Sequence, residues 1–174
     1  MKRLLILGAA LLLAVGCGSS STPTTPSNSN QVRFTATLLP ANEVPAITNA
    51  EASGNGLATI TFNLTRDAAG AITAANADFL VTLNSFPANT PVNAAHIHPG
   101  AAGINGSALV NLALVPGEIV LASGTGNFTR TGITSNLDPA RAQDIINNPA
   151  NYYFNVHSTI NGGGFARGQL VKQP

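Results

Sequence analysis

The chain lacks most of the devices by which small secreted domains compensate for a modest core. Its 174 residues include one cysteine, Cys17, and no tryptophan. A lone cysteine excludes an intramolecular disulfide, so the fold must bury enough apolar surface unaided. About 140 residues remain once the ends are set aside, enough to bury roughly two-thirds of the surface an unfolded chain exposes. Charge is scarce: 9% of residues are Asp, Glu, Lys or Arg, and the formal net charge is +1. Without Lys2 and Arg3, six basic residues face seven acidic ones, a balance near −1. That excludes the basic patch of a nucleic-acid binder. The longest apolar run, Leu4 to Val15, falls short of the ~20 residues of a membrane span. There is no Gly-x-Ser-x-Gly elbow for a serine nucleophile, and no internal repeat.

Alanine, glycine, asparagine and threonine dominate instead, as in a secreted β-protein held by backbone pairing and small side chains. The first segment reads as a targeting signal. Lys2-Arg3 is its charged start, and the apolar run ends in Leu13-Ala14-Val15-Gly16-Cys17. This resembles a bacterial lipobox, in which the cysteine after a small residue is lipidated and becomes the mature N-terminus; Ala14 departs from the usual leucine. The organisation expected is a lipoprotein signal peptide over 1–16, a lipidated Cys17 and flexible Ser/Thr/Pro/Asn tether over 17–30, and one domain over 31–174. The resemblance implies a membrane partner through the lipid anchor and a place in the bacterial cell envelope, at the outer membrane or cell surface.

From Gln31 onward, apolar and polar side chains alternate with period two. Val32 to Leu38 predicts a strand, Ala58 to Thr65 the cleanest half-buried strand, and Ile72 to Leu83 another. Further strands are expected over Val92–His98, Ala108–Leu114, Tyr152–Ser158 and Phe165–Val171. Ile119–Ala122 and Gly126–Thr131 read as a hairpin about Ser123-Gly124-Thr125. Asp138-Pro139 marks a helix start, with an Asp N-cap and Pro at the first position, and the helix should stop near Asn147 before Pro149. Eight or nine short strands with one connecting helix predict an all-β sandwich or barrel.

Two of the three histidines lie one residue apart, in Ala95-His96-Ile97-His98-Pro99-Gly100; the third is His157. Strand parity puts His96 and His98 on one face with Ala94, and Ala95 and Ile97 on the other. Likewise Tyr152, Phe154 and Val156 take a core face, and Tyr153, Asn155 and His157 the opposite one. Any site formed by these histidines therefore lies outside the barrel. Two His at i and i+2 can hold one metal, and a third from a neighbouring strand completes a His₃ set suited to copper or zinc. The same spacing also fits three surface histidines that fix loops. Glu43 reads as a loop cap or exposed charge, the alternatives being a metal neighbour or a carboxylate against Arg167. Arg167, before Gly168, reads as a structural residue holding the loop of His157, the alternative being attraction of an anion. Asn105-Gly106 reads as a hairpin turn without a role in chemistry.

The block His96-Ile97-His98-Pro99-Gly100-Ala101-Ala102-Gly103-Ile104-Asn105-Gly106 resembles the central motif of the CHRD domain, named for chordin and also present in many bacterial secreted proteins. Three further blocks agree, in order: Phe34 to Pro45, ending Asn42-Glu43-Val44-Pro45; Tyr153-Phe154-Asn155-Val156-His157-Ser158; and Gly164-Phe165-Ala166-Arg167-Gly168-Gln169-Leu170. Ser158 stands where threonine is usual and keeps the hydroxyl. Pro99 stands where glycine is common, and Phe165-Ala166 replaces Glu-Ile beside Arg167, removing a carboxylate. The resemblance implies an immunoglobulin-like Greek-key barrel with a distant likeness to copper-zinc superoxide dismutases, whose copper lies outside the barrel. Three histidines are too few for a copper-zinc dismutase centre. A cupin is excluded because Ala101, Ala102 and Gly103 follow the His pair where that fold expects a glutamate.

The function expected is a non-enzymatic, lipid-anchored binding or structural module. The alternative is a mononuclear metal protein, with copper or zinc at His96, His98 and His157 and with Glu43, Asn155 and Arg167 as neighbours orienting the site. A protein ligand, by analogy with chordin's binding of growth factors, is the third expectation and rests on the resemblance alone.

Overall fold

The alternation beginning at Val32 becomes the first strand of a five-stranded antiparallel sheet. In the computed structural model, which describes residues 30–174, β1 (Gln31–Leu38) buries Phe34, Ala36 and Leu38 completely and exposes Arg33 and Thr37. β1 pairs with β2 (Asn55–Arg66), and β2 with β3 (Ile72–Asn84), in registers that set Phe34 opposite Ile60 and Ile60 opposite Phe79. The apolar positions of all three strands thus share one face. The turn between β2 and β3 is closed by the Asp67 carboxylate, which accepts from the backbone N–H groups of Ala69 and Ala71, both at 2.9 Å. β8 (Gly126–Ile133) extends this sheet beyond β3, and β11 (Val171–Lys172) extends it beyond β1.

A four-stranded sheet in the order β10-β9-β5-β6 is built from β5 (Ala94–Pro99), β6 (Val110–Asn111), β9 (Tyr152–His157) and β10 (Ala166–Gln169). Its inner residues Ala95, Ile97, Phe154 and Val156 are wholly buried and join one apolar cluster with the inner face of the larger sheet. Phe79 stacks on Phe154 with ring centroids 5.8 Å apart. Each such buried ring contributes about 1.5–3 kcal/mol over its exposed state. A two-stranded ribbon, β4 (Thr90–Val92) with β7 (Ile119–Leu121), completes the strands. The helix α1 (Pro139–Asn147) starts where expected. The Asp138 side chain accepts from Arg141 N–H at 2.8 Å, and Ala142, Ile145 and Ile146 are buried. The all-β sandwich with one helix read from the sequence is the fold observed. The expected signal peptide, 1–16, and the expected tether with Cys17, 17–30, lie outside the described residues except for Asn30.

Several strand boundaries differ from expectation, each for a local reason. Val92–His98 is two strands in two sheets. Val92 and Ala95 are both buried but three apart, an odd spacing that breaks the alternation at Asn93, whose N–H donates to the His157 carbonyl at 2.8 Å. The segment expected over Ala108–Leu114 pairs only at Val110 and Asn111. The Asn111 side chain then accepts from Ala113 N–H at 2.7 Å and, with Ala113 at φ 52°, turns the chain away. The strands about Ser123-Gly124-Thr125 do not pair with each other; β7 goes to β4 and β8 to β3. Their link is pressed on Phe86, whose N–H donates to the Gly124 carbonyl at 3.0 Å. Phe165–Val171 divides at Leu170 between the two large sheets, and Asn105-Gly106 lies in the long loop that joins the antiparallel pair β5 and β6 and not in a tight two-residue turn.

The two large sheets are stitched along one edge. Leu39, just past β1, exchanges both backbone hydrogen bonds with Arg167 of β10, at 3.1 and 3.4 Å. The approach is so close that a Cβ on Gly168 would lie 2.1 Å from the Thr37 carbonyl oxygen, whereas one on Gly163 would meet nothing within 4 Å. Gly168→Ala is therefore expected to destabilise the protein by about 1–3 kcal/mol, and Gly163→Ala by less than about 0.5 kcal/mol. Urea unfolding of the two variants checks this, and equal midpoints would contradict the close edge.

Candidate metal centre

The outer face of the four-stranded sheet carries the polar half of the alternation in β10, β9 and β5. Register aligns Arg167, Asn155 and His96 in one row across the three strands. His98 stands opposite Tyr153, and His157 opposite Ala94. The small Ala94 side chain leaves His157 room to lean along the face toward His96. His96 Nδ1 and His157 Nε2 come to 3.0 Å, and the donor atoms of all three histidines lie within 4.8 Å of one another. Two nitrogens on one tetrahedral ion with bonds of roughly 2 Å are about 3.4 Å apart, so the trio is close to a ligating geometry.

Parity placed the histidines outside the core, and they are there. They are not surface side chains, however. His98 and His157 are 6% and 8% exposed, because loops cover this face. His98 Nδ1 is 3.0 Å from the Gly106 carbonyl and His157 Nδ1 is 3.0 Å from the Gly162 carbonyl. A carbonyl only accepts, so in both rings Nδ1 carries the proton and Nε2 holds the lone pair. His157 Nε2 must then accept from His96 Nδ1–H, while His98 Nε2 is buried without a partner among the described residues. Burial pushes His96 down to about 4, helped by the nearby His157 and His98. Burial also lowers His98 and His157, against the raising effect of their carbonyl bonds. All three imidazoles are thus neutral at pH 7, the form that binds metal.

The residues expected as neighbours form a second cluster on the same face. Arg167, 1% exposed, donates from Nε to the Asn42 carbonyl at 2.6 Å and from Nη1 to Asn105 Oδ1 at 2.8 Å. Its guanidinium carbon is 4.5 Å from the centroid of the Tyr153 ring, and His98 stacks on Tyr153 at 4.9 Å and 5°. Arg167 therefore holds the Asn42 and Asn105 loops, and not the loop of His157 as expected. Glu43 is no exposed charge: it is buried, 4.0 Å from Arg167, and accepts from Asn155 Nδ2 at 3.3 Å. It is the carboxylate against Arg167, restoring from another loop the charge that Phe165-Ala166 lacks. Burial pushes its carboxyl up to about 7, opposed by Arg167 and by the Asn155 hydrogen bond. Asn105-Gly106 also has a role, since Asn105 binds Arg167 and the Gly106 carbonyl orients His98. A cleft of about 360 Å³ opens beside His98 and Tyr153, between Glu43, Val44 and Asn105.

Sequence reasoning missed Tyr153 and Glu51. Tyr153 had a signal, since it shares the parity of Asn155 and His157. Glu51 had none: it lies 107 residues from Ser158, whose hydroxyl donates to its carboxylate at 2.9 Å. It is fully buried at the start of a short 3₁₀ turn, Ala50–Ser53. A family model described as the CHRD domain matches residues 34–170 of the chain. No curated protein matches, and no solved structure does.

The histidines give the fold a defined pH response. A folded-state value of about 4 for His96, below the ordinary 6.5, means that its contribution is complete above pH 6.5 and is lost as pH falls through 4. Glu43 acts in the opposite sense: raised from 4.5 to about 7, its contribution is complete below 4.5 and is lost as pH rises through 7. Glu43 is common to wild type and His96→Gln, so its contribution cancels in their difference. Thermal melts of the metal-free proteins should show the wild type losing midpoint relative to His96→Gln as pH drops from 6.5 to 4. Parallel pH curves would contradict a buried neutral His96.

Proposed function

The chain belongs to the CHRD-domain family, and on that premise we propose that it is a metal-binding module of the bacterial cell envelope, holding one copper or zinc ion at His96, His98 and His157 and anchored by a lipid on Cys17. The observation that carries the metal reading is the convergence of three neutral imidazoles, two of them oriented by backbone carbonyls so that Nε2 carries the lone pair. Carbonyl partners of this kind hold a ligating ring in one tautomer and are part of how metal sites are built. Among the described residues, His96 alone of the three has no carbonyl partner. To ligate through Nδ1 it passes its proton to its own Nε2, and the hydrogen bond to His157 gives way to the ion.

Among the described residues, His96, His98 and His157 are the one group of three or more His, Cys, Asp or Glu side chains that converge for a metal. That supports a mononuclear site over a two-metal one. Three protein ligands leave a fourth position for an exogenous group. The CHRD domain is not an enzyme family, and the reading is of a binding module that captures or stores a metal, or carries one electron when the ion is copper. Support for the anchor is the lipobox-like Leu13-Ala14-Val15-Gly16-Cys17 in a chain with no other cysteine.

Metal analysis of the purified full chain is expected to give about one ion per chain and almost none for the His96→Ala/His98→Ala double variant. Absence of stoichiometric metal, or the same content in both proteins, would sink the metal reading. For the anchor, Cys17→Ser should move the protein from the membrane fraction to the soluble one, and a globomycin-type processing block should slow its migration on gels. Unchanged fractionation and migration would remove the lipid from the proposal.

A further inference from the structure

The loop that orients His157 is itself held from far away in the chain. Ser158 to Gly164 follows β9, and its Gly162 carbonyl accepts the His157 Nδ1 proton. Within the loop, Asn161 N–H donates to Ser158 Oγ at 3.0 Å, Ser158 N–H to the Asn161 carbonyl at 3.3 Å, and Gly164 N–H to the same carbonyl at 3.0 Å. These bonds curl the loop but give it no hold on the sheet. The hold comes from Glu51. Its Oε2 accepts from the Ser158 hydroxyl at 2.9 Å and from the Asn161 side-chain amide. Asn49 fixes Glu51 in turn: its side chain caps the Glu51 N–H at 3.0 Å and donates to Asn161 Oδ1 at 3.2 Å.

We propose that Glu51 is a positioning residue for the histidine site, acting through Ser158, Asn161 and the Gly162 carbonyl to keep His157 in its Nδ1-protonated tautomer with the lone pair on Nε2. This deepens the metal-site reading and rests on it for its purpose, though the tautomer itself does not depend on any metal. A carboxylate with no exposed surface is costly to bury unless its hydrogen bonds are strong, and these bonds go to the loop whose Gly162 carbonyl sets His157. The serine at 158 also gains a reason. A hydroxyl is needed there to donate to Glu51 and to accept from Asn161, and threonine would serve equally well. Gly164 completes the loop at φ 128°, where a Cβ would lie 2.4 Å from the Asn155 amide.

The experiment is long-range ¹H–¹⁵N correlation of the imidazoles in the metal-free full chain, with zinc titration beside it. Wild type and Ser158→Thr should show His157 protonated at Nδ1. Glu51→Gln and Ser158→Ala should show a mixture of tautomers or a switch to Nε2–H, with His98, held by Gly106, unchanged as an internal reference. Zinc affinity should fall roughly tenfold in those two variants, the lower end of what loss of an orienting partner costs, and Ser158→Thr should retain it. Ser158→Ala keeps the test open where Glu51→Gln fails to fold. A pure Nδ1–H signal for His157 in either folded variant would overturn the proposal. A wild type that binds no zinc while the tautomer changes as described would overturn the metal reading and leave the role of Glu51 standing.

Discussion

A guanidinium shielded almost wholly from water has to be answered by its surroundings, and the outer layer of this sandwich is built around that demand. Arg167 sits on the strand that stitches the two large sheets together. Its charge cannot reach solvent, and an unpaired buried charge would cost several kcal/mol. The Asn42 carbonyl, the Asn105 side chain, the face of Tyr153 and the Glu43 carboxylate answer it from three separate parts of the chain. By drawing the Asn42–Glu43 and Ile104–Asn105 loops onto the sheet, Arg167 roofs the histidine face. The roof then desolvates the imidazoles and supplies the Gly106 carbonyl that orients one of them. Remove the cation, and the loops lose their common partner.

Two layers with different physics follow. Inward, the sheets share an apolar cluster held by shape and area, in which Phe79 and Phe154 meet. Outward, β9 and β5 carry a polar face whose members are buried by loops, so nearly every group needs a named partner. Histidine, arginine and glutamate are there because the layer is hydrogen-bonded and electrostatic. The core does not depend on them, and this separation lets one strand serve both sides: Phe154 and Val156 pack inward while Tyr153, Asn155 and His157 work outward.

The parity of β5 and β9 was readable in the sequence, and it placed all three histidines and Asn155 on the correct face. The helix start at Asp138-Pro139 was equally plain, because a cap is a local event. What could not be read was whatever depends on a distant segment. The burial of Glu43 follows from Arg167, and the role of Glu51 from Ser158, each more than a hundred residues away. Loops covering a polar strand face leave no periodic trace, so the histidines read as exposed. The splitting of Val92–His98 did leave a trace, the odd spacing of Val92 and Ala95, which a search for unbroken alternation passes over.

The direction of β1 gives the domain two unlike poles. The described chain enters at Gln31, and eight residues of strand, about 26 Å at a rise of roughly 3.3 Å each, carry it to Leu39 at the Arg167 bridge. The loops of Glu43 and Asn105, and with them the histidines, gather at that far pole. The start of β1 therefore marks the base of the domain, while the imidazoles occupy its crown. The histidine face is thus set apart, by the length of β1, from the end at which the described residues begin.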